Sequence, residues 1–420
     1  MSISNMYEAN ACLINRSYLS SGMLDYELFL HQTLRKYEDK ESLDKLHKKE
    51  IKNTDSIIPL RVLHIIRLMN HGGAETLIMN LYRNIDRTKV QFDFVETSQE
   101  TGLYEKEICE LGGRVFHAPN FSGKNVLEYI KWWDSFFVEH ENEFCFVHGH
   151  LGGTAAIYLS SAKKHSIITI AHSHNTYTNF SVRQSFYRIM AYPTRHIADY
   201  FFACSNQAAV SRFGKRVNYM ILNNAIDTNM YSFSGKQYLP FTKGKTVYGH
   251  IGRFRKQKNQ PFVAEIFGEI YKKDPNSILI FVGDGASREE LEKKIKETIY
   301  KDAVFFLGAR NDIPDLLRCM DLMLFPSFFE GLPVTLVEAQ CSGLRCLISD
   351  CISDEAILIP DLIAKMSLDS TSSEWAQKAL SMSHYERKSG DQQIKAAGFD
   401  IQRNAQWLQD FYIREAGNHE

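Results

Sequence analysis

The sequence predicts an α/β protein built on two doubly wound parallel sheets, and three observations carry that class. Apolar runs of strand length alternate with helical text along most of the chain. The runs are hydrophobic almost without interruption, as strands covered on both faces must be. A polar stretch at 228–244, broken by Gly235, Pro240 and Gly244, divides the chain into two halves, each large enough for its own core. The division predicted is a helical extension over 1–58, a first sheet domain over 59–228, a second over 245–398 and a closing helix over 399–420.

In the extension, Leu28, Leu34, Leu43 and Leu46 stand among acids and lysines, which predicts helices docked on the body or a mobile arm. Strand text then begins at Val62–Ile66, and Asn70–Glu75 turns into a helix through the pair Gly72-Gly73. Glycine there lets backbone approach a phosphate, although many strand–helix turns use it with no ligand. Further strands are expected at 91–96, 114–118, 144–148, 167–171 and 200–204. The helix over 124–139 carries Tyr129, Trp132, Trp133, Phe136 and Phe137, and reads as core in preference to membrane contact. Over 180–195, Arg183, Arg188 and Arg195 mix with Phe186, Tyr187 and Tyr192, which suits an anionic headgroup or diphosphate as well as a solvated face. The second half offers strands at 246–251, 277–282, 303–307 and 322–325, with helices near Gln260, Leu291 and Leu316. An amphipathic tail with Phe399, Trp407, Leu408 and Phe411 closes the chain.

Composition narrows the partners. Lys and Arg number 49 against 50 Asp and Glu, so the chain has no basic field for nucleic acid. No apolar run spans a bilayer and no secretory signal opens the sequence, so a cytoplasmic protein is expected. The eight cysteines include no Cys-x-x-Cys and read as reduced thiols. Cys341, Cys346 and Cys351 are evenly spaced, but a zinc site on them would need a fourth ligand.

The stretch Phe325–Ser349 reads strand, turn, helix, strand. Pro333 suits the first helical turn and Gly343 the end. At about 100° per residue, Val334, Val337, Glu338 and Cys341 share one arc, which places a carboxylate on the face meant for the core. Glu330 lies in the turn, where open α/β sheets bind ligands. Two structural carboxylates, one at a helix end and one satisfied inside, would give the same text. Two histidine pairs also follow strands, His148/His150 and His172/His174. Four imidazoles at neighbouring strand ends could hold a metal, or be hydrogen-bonded in loops. Four cations crowd Arg253–Lys258 after a strand, which calls for an anionic partner or for full exposure to water.

Together these residues resemble retaining GT-B glycosyltransferases, specifically glycosyltransferase family 4, and are similar to bacterial capsule and exopolysaccharide enzymes. The pattern Glu330-x7-Glu338, preceded by Phe-Pro-Ser and enclosing Gly-Leu-Pro, resembles the family signature. By that resemblance Glu338 holds the ribose hydroxyls of a nucleotide sugar, and Glu330 sits by the sugar and reacting phosphate. Ser327, Gly331 and Leu332 belong to the same loop. Arg253 and Lys258 match the cations that neutralise the donor diphosphate, Gly72-Gly73 the loop that faces it, and Gly308-Ala309-Arg310 the edge that contacts the base. His172, with His174 as fallback, resembles the histidine that touches the donor sugar. Leu222–Asp227 resembles the crossing between two Rossmann-like domains that face a cleft, with Ala225 where glycine is usual.

What the resemblance implies is a sugar transferase needing no cofactor, its donor a nucleotide sugar. UDP is the commonest donor nucleotide in the group, with GDP and ADP left open. The acceptor would be a glycan or lipid-linked oligosaccharide, reached at the inner face of the membrane through peripheral contact. No Asp-x-Asp occurs, which favours a metal-independent route. Two other classes compete: a non-catalytic GT-B subunit that binds glycan or nucleotide for a partner, and a metal hydrolase built on the paired histidines.

Overall fold

The computed structural model describes residues 58–70, 72–174 and 182–419. The expected extension therefore lies outside the described residues but for Ile58, as do His71 and the side chains of Arg183 and Phe186.

Two compact units divide the chain: residues up to Ile221 together with Trp407–Glu420, and Leu222–Gln406. In the first, the order is β1 (Leu60–Ile66), α1 (Gly73–Asn84), β2 (Val90–Glu96), α2 (Glu105–Glu110), β3 (Val115–His117), α3 (Val126–Glu139) and β4 (Phe146–Gly149). It continues with α4 (Ala155–Lys164), β5 (Ile168–Ser173), α5 (Val182–Ala191), α6 (Thr194–Ile197), β6 (Tyr200–Ala203), α7 (Asn206–Phe213) and β7 (Met220–Ile221). The strands form one parallel sheet, ordered β3-β2-β1-β4-β5-β6-β7. Chain direction across the sheet reverses between β1 and β4, the switch point where doubly wound sheets open a crevice. On one face, Tyr129, Trp133 and Phe137 of α3 pack with Tyr158 of α4, all of them fully buried. The aromatic helix is core.

The second unit begins with α8 (Thr228–Tyr231) and continues β8 (Thr246–Ile251), α9 (Gln260–Lys273), β9 (Ser277–Val282), α10 (Arg288–Lys296), β10 (Val304–Phe306) and α11 (Ile313–Cys319). Then come β11 (Leu322–Phe325), α12 (Val334–Cys341), β12 (Cys346–Ser349), β13 (Ile363–Met366), α13 (Ser372–Met382), α14 (Asp391–Ala396) and α15 (Ile401–His419), the last running on into the first unit. Its parallel sheet is ordered β10-β9-β8-β11-β12-β13. The same winding puts its switch point between β8 and β11.

The stretch at 228–244, expected to be a boundary, is built into this unit. Thr228 donates a hydrogen bond to Asp400, and the amides of Ile226 and Ile401 bond to Phe399 and Ile226 at 3.0 and 2.9 Å. Phe241 stacks on Phe305 with centroids 4.0 Å apart, and Thr242 is fully buried. Polar composition hid those contacts. Ala225 needs no glycine, because no positive φ occurs there.

Candidate active site

Lys258 and Glu330 occupy the loops that leave β8 and β11, the two strands flanking the second unit's switch point. Nζ of Lys258 lies 2.7 Å from Oε1 of Glu330, with the two side chains 17% and 8% exposed. The loops are joined further. Gln257 accepts from the Phe328 amide at 2.9 Å and donates through Nε2 to the Phe329 carbonyl (2.8 Å) and to Oε2 of Glu330 (3.3 Å). Asn259, left-handed at φ 55°, donates to the Pro326 carbonyl at 3.2 Å. The Lys258 ammonium also stands 4.8 Å from the centre of the Phe325 ring.

Arg253 precedes this pair and is exposed, with its guanidinium unpaired among the described residues. Arg255 and Lys256 are exposed as well. Thus Lys258 is internally neutralised while Arg253, the better phosphate fork, faces solvent. The loop rests on Gly283-Asp284-Gly285: the amide of Phe254 donates to the Asp284 carbonyl at 2.9 Å. A Cβ on Gly283 (φ +131°) would meet the Gly252 carbonyl oxygen at 2.2 Å, so glycine is required for that approach.

Helix α12 begins just past Glu330. Pro333 is its cap, not a first-turn residue: it keeps an extended ψ of 103° while its carbonyl accepts from Leu336 at 2.9 Å. No side chain caps this N-terminus and no acid lies in its first turn, so its N–H dipoles are free of internal anions. On the expected arc, Val337 and Cys341 are fully buried but Val334 and Glu338 sit at its half-buried rim. Burial pushes the Glu338 carboxyl up to about 7, opposed by a hydrogen bond from Tyr231. Ser327 is buried, its carbonyl accepting from Ser349 Oγ at 2.5 Å; Gly331 is exposed and Leu332 half-buried. Gly308 adopts φ +69° beyond β10, and Arg310 is engaged by Asp312 in two bonds of 2.8 and 2.6 Å.

In the first unit, Gly72 caps α1 in extended conformation, and the Glu75 carboxylate folds over it: a Cβ on Gly72 would meet Oε2 at 2.2 Å. Space beside Gly73 is open. The paired histidines do converge, and a fifth, His64 of β1, joins them. His148 Nε2 lies 3.0 Å from His172 Nδ1, His150 Nδ1 2.8 Å from His174 Nε2, and His64 Nδ1 3.0 Å from His150 Nε2. Burial lowers every one of these rings, His64 to about 3 and His174 to about 4, so all are neutral at pH 7. Two trios, His64/His148/His150 and His150/His172/His174, place ligand atoms within 4.8 Å of one another. The evenly spaced cysteines enter no such group among the described residues. Along 182–197, Arg195 lies 4.0 Å over the Tyr192 ring, so one of those cations is spent internally.

Residues 235–395 match the family described as Glycosyl transferases group 1. The chain is 32% identical over 372 residues to "Putative glycosyltransferase EpsF" of Bacillus subtilis (strain 168), covering 84% of this chain and 96% of that protein. The chain belongs to the group 1 glycosyltransferases. A more local likeness in this glycosyltransferase, 33% over 118 residues, 27% of the chain and 30% of the relative, is to UDP-Gal:alpha-D-GlcNAc-diphosphoundecaprenol alpha-1,3-galactosyltransferase of Escherichia coli. Its GT-B fold is shared with Anabaena Alr3699/HepE, solved in complex with UDP, at a TM-score of 0.66 and 18% identity, covering 84% of this chain and 99% of that one. No helix among the described residues is long and apolar enough to cross a membrane.

Several residues of these two candidate clusters escape a reading of the sequence. Tyr231 and Gln257 carry no motif, and each acts through a partner far along the chain. His64 lies in plainly apolar strand text, and only the register pairing it with His148 reveals its place.

Proposed function

We propose that this chain is a retaining, metal-independent transferase of glycosyltransferase family 4. It moves a sugar from a nucleotide-sugar donor, with UDP as the nucleotide, onto a glycan or lipid-linked oligosaccharide during surface polysaccharide synthesis at the inner membrane face. The Lys258–Glu330 pair at the switch point of the second unit carries this reading. Departure of a nucleoside diphosphate builds negative charge, and preorganised donors such as an ammonium held in one loop and an uncapped helix N-terminus that follows the other stabilise such charge without reorganisation. The exposed Arg253 adds a forked donor for phosphate oxygens. Glu330 keeps Lys258 in place and faces the sugar; Glu338 receives the ribose hydroxyls; His172 binds a sugar hydroxyl. The names of two similar proteins support the donor and acceptor classes: one uses UDP-Gal on a diphosphoundecaprenol-linked sugar, the other was solved with UDP.

A thermal-shift panel of UDP-, GDP- and ADP-sugars tests the donor. Ligand at 100 times its dissociation constant should stabilise the protein by about 2.7 kcal/mol. Transfer of labelled sugar to a lipid-linked acceptor, undiminished by EDTA and with the anomeric configuration kept, is the expected outcome. Inversion, dependence on a metal, or no response to any nucleotide sugar would sink the proposal.

A further inference from the structure

Five clustered histidines of the first unit form two hydrogen-bonded rows, and the rows differ in one respect. His64, His150 and His174 make one row, at 3.0 and 2.8 Å, with Nε2 of His64 and Nδ1 of His174 unpartnered at its ends among the described residues. A row of neutral imidazoles can point its protons either way, and no described residue at those ends selects a direction. The other row ends on a phenol. Tyr412 Oη lies 2.6 Å from His148 Nδ1, and His148 Nε2 lies 3.0 Å from His172 Nδ1.

Tyr412 is fully buried, and His148 is the hydroxyl's hydrogen-bond partner among the described residues. Were the hydroxyl to accept from His148, its own hydrogen would be buried with no acceptor, a costly arrangement. Tyr412 therefore donates. His148 Nδ1 then holds a lone pair, and its proton sits on Nε2 and points at His172. Nδ1 of His172 must accept, which leaves its proton on Nε2. That nitrogen is buried in a residue only 6% exposed and has no acceptor among the described residues.

We propose that Tyr412 and His148 are positioning residues that lock His172 in its Nε2–H tautomer, so that it offers a hydrogen to a hydroxyl or phosphate oxygen of the nucleotide sugar. The ligand named here rests on the function proposed above; the lock itself rests on the three side chains alone. In the other tautomer His172 would present a lone pair, which repels a phosphate oxygen and could only accept from a hydroxyl, reversing the direction of the bond. A residue 264 positions from His148 in sequence would thereby set the polarity of a ring it does not touch.

The test is NMR of the full chain labelled with ¹⁵N-histidine, in which two-bond ¹H–¹⁵N correlations identify the protonated ring nitrogen, with H172A and H148A used for assignment. His148 and His172 are both expected as Nε2–H. In Y412F, His172 should become a tautomer mixture, and kcat/KM for the nucleotide sugar should fall about tenfold. H148Q, whose side-chain amide can still donate toward His172, should keep the Nε2–H form and most of the activity; H148A should keep neither. An Nδ1–H form of His172 in the wild type, or an unchanged tautomer in both Y412F and H148A, overturns the lock. So does a stoichiometric transition-metal ion bound through these rings, since it would claim the lone pairs. If the tautomer changes in Y412F while transfer does not, His172 is not a donor to substrate. If the lock is present but no nucleotide sugar is bound or turned over, the function proposed above fails and takes the ligand with it.

Discussion

Lys258 and Glu330 are 72 residues apart and meet at 2.7 Å where the strand order of the second, all-parallel sheet reverses. The meeting is organised by more than charge, since Gln257 and Asn259 sew the same two loops together through four hydrogen bonds. A lysine left beside Phe325 without its carboxylate, or the carboxylate without its lysine, would be a poorly solvated charge. The K258A, E330A and double variants should therefore show coupled losses, with an interaction energy of about 1–3 kcal/mol in urea unfolding. Each single variant should also lose about 10²–10³ in kcat. Additive stabilities with wild-type rates would mean the pair is ornamental.

Glu338 predicts a pH signature. Its folded carboxyl titrates near 7, above the ordinary 4.5, because burial disfavours the charged form more than Tyr231's hydrogen bond favours it. Folding thus favours the protonated group. The fold's preference is fully present below pH 4.5 and is lost as pH rises to 7, above which stability is flat with respect to this group. E338Q, which cannot ionise, should gain on wild type between pH 5 and pH 8 by about 1–3 kcal/mol. Urea midpoints at both pH values decide it, and parallel profiles would refute the shift. If the carboxylate receives ribose hydroxyls, KM for the donor should fall from pH 6 to 8 in the wild type and stay flat and high in E338Q.

Asp93 predicts the opposite slope. Buried in β2, it accepts from Nε and Nη2 of Arg61, each at 2.6 Å, and from the Arg114 side chain at 2.9 Å and amide at 2.8 Å. Burial alone would raise its pKa, but the two guanidiniums outweigh it and hold the carboxyl below 3.8. That stabilisation is present above pH 3.8 and disappears as pH falls through the folded value. D93A should cost about 3 kcal/mol at pH 7, toward the low end for buried pairs because both arginines keep water contact. The deficit should shrink on acidification below pH 4. A constant deficit from pH 7 to 3 would assign the loss to packing.

The two sheets were legible because parallel strands buried on both faces cannot hide: Thr246–Ile251, Ser277–Val282 and Leu322–Phe325 fall where the apolar runs lie. Loops that follow such strands were legible for the same reason, which drew attention to Glu330 and to the cations of Arg253–Lys258; only the family resemblance singled out Lys258 among them. Tyr412, Tyr231 and His64 could not. Each contributes one polar atom to a partner brought near by topology, and in local text an aromatic in a helix or a histidine in a strand looks like core. The edge between units misled for a related reason: Lys236, Phe241 and Thr242 look like linker, yet are used by Asp321, Phe305 and Cys319.

Between Ile348 and the amphipathic tail the sequence carries a helix-start signal, Thr371-Ser-Ser-Glu374 before Trp375. In the structure this is a capping box at the start of α13. The Thr371 hydroxyl oxygen accepts from the Glu374 amide at 3.3 Å, and Glu374 Oε2 accepts from the Thr371 amide at 2.7 Å. Those bonds satisfy donors that the first turn would otherwise leave open. They also fix the entry of Trp375, which is fully buried and donates through Nε1 to the Ser367 carbonyl at 3.0 Å. T371A should therefore cost about 1 kcal/mol in urea unfolding, and T371G only a few tenths, since glycine leaves the cap to water. Neither substitution touches the loops at the switch point, so nucleotide-sugar affinity should be unchanged at saturating stability. A T371A protein as stable as wild type would show that packing of Trp375, and not the cap, sets where this helix begins.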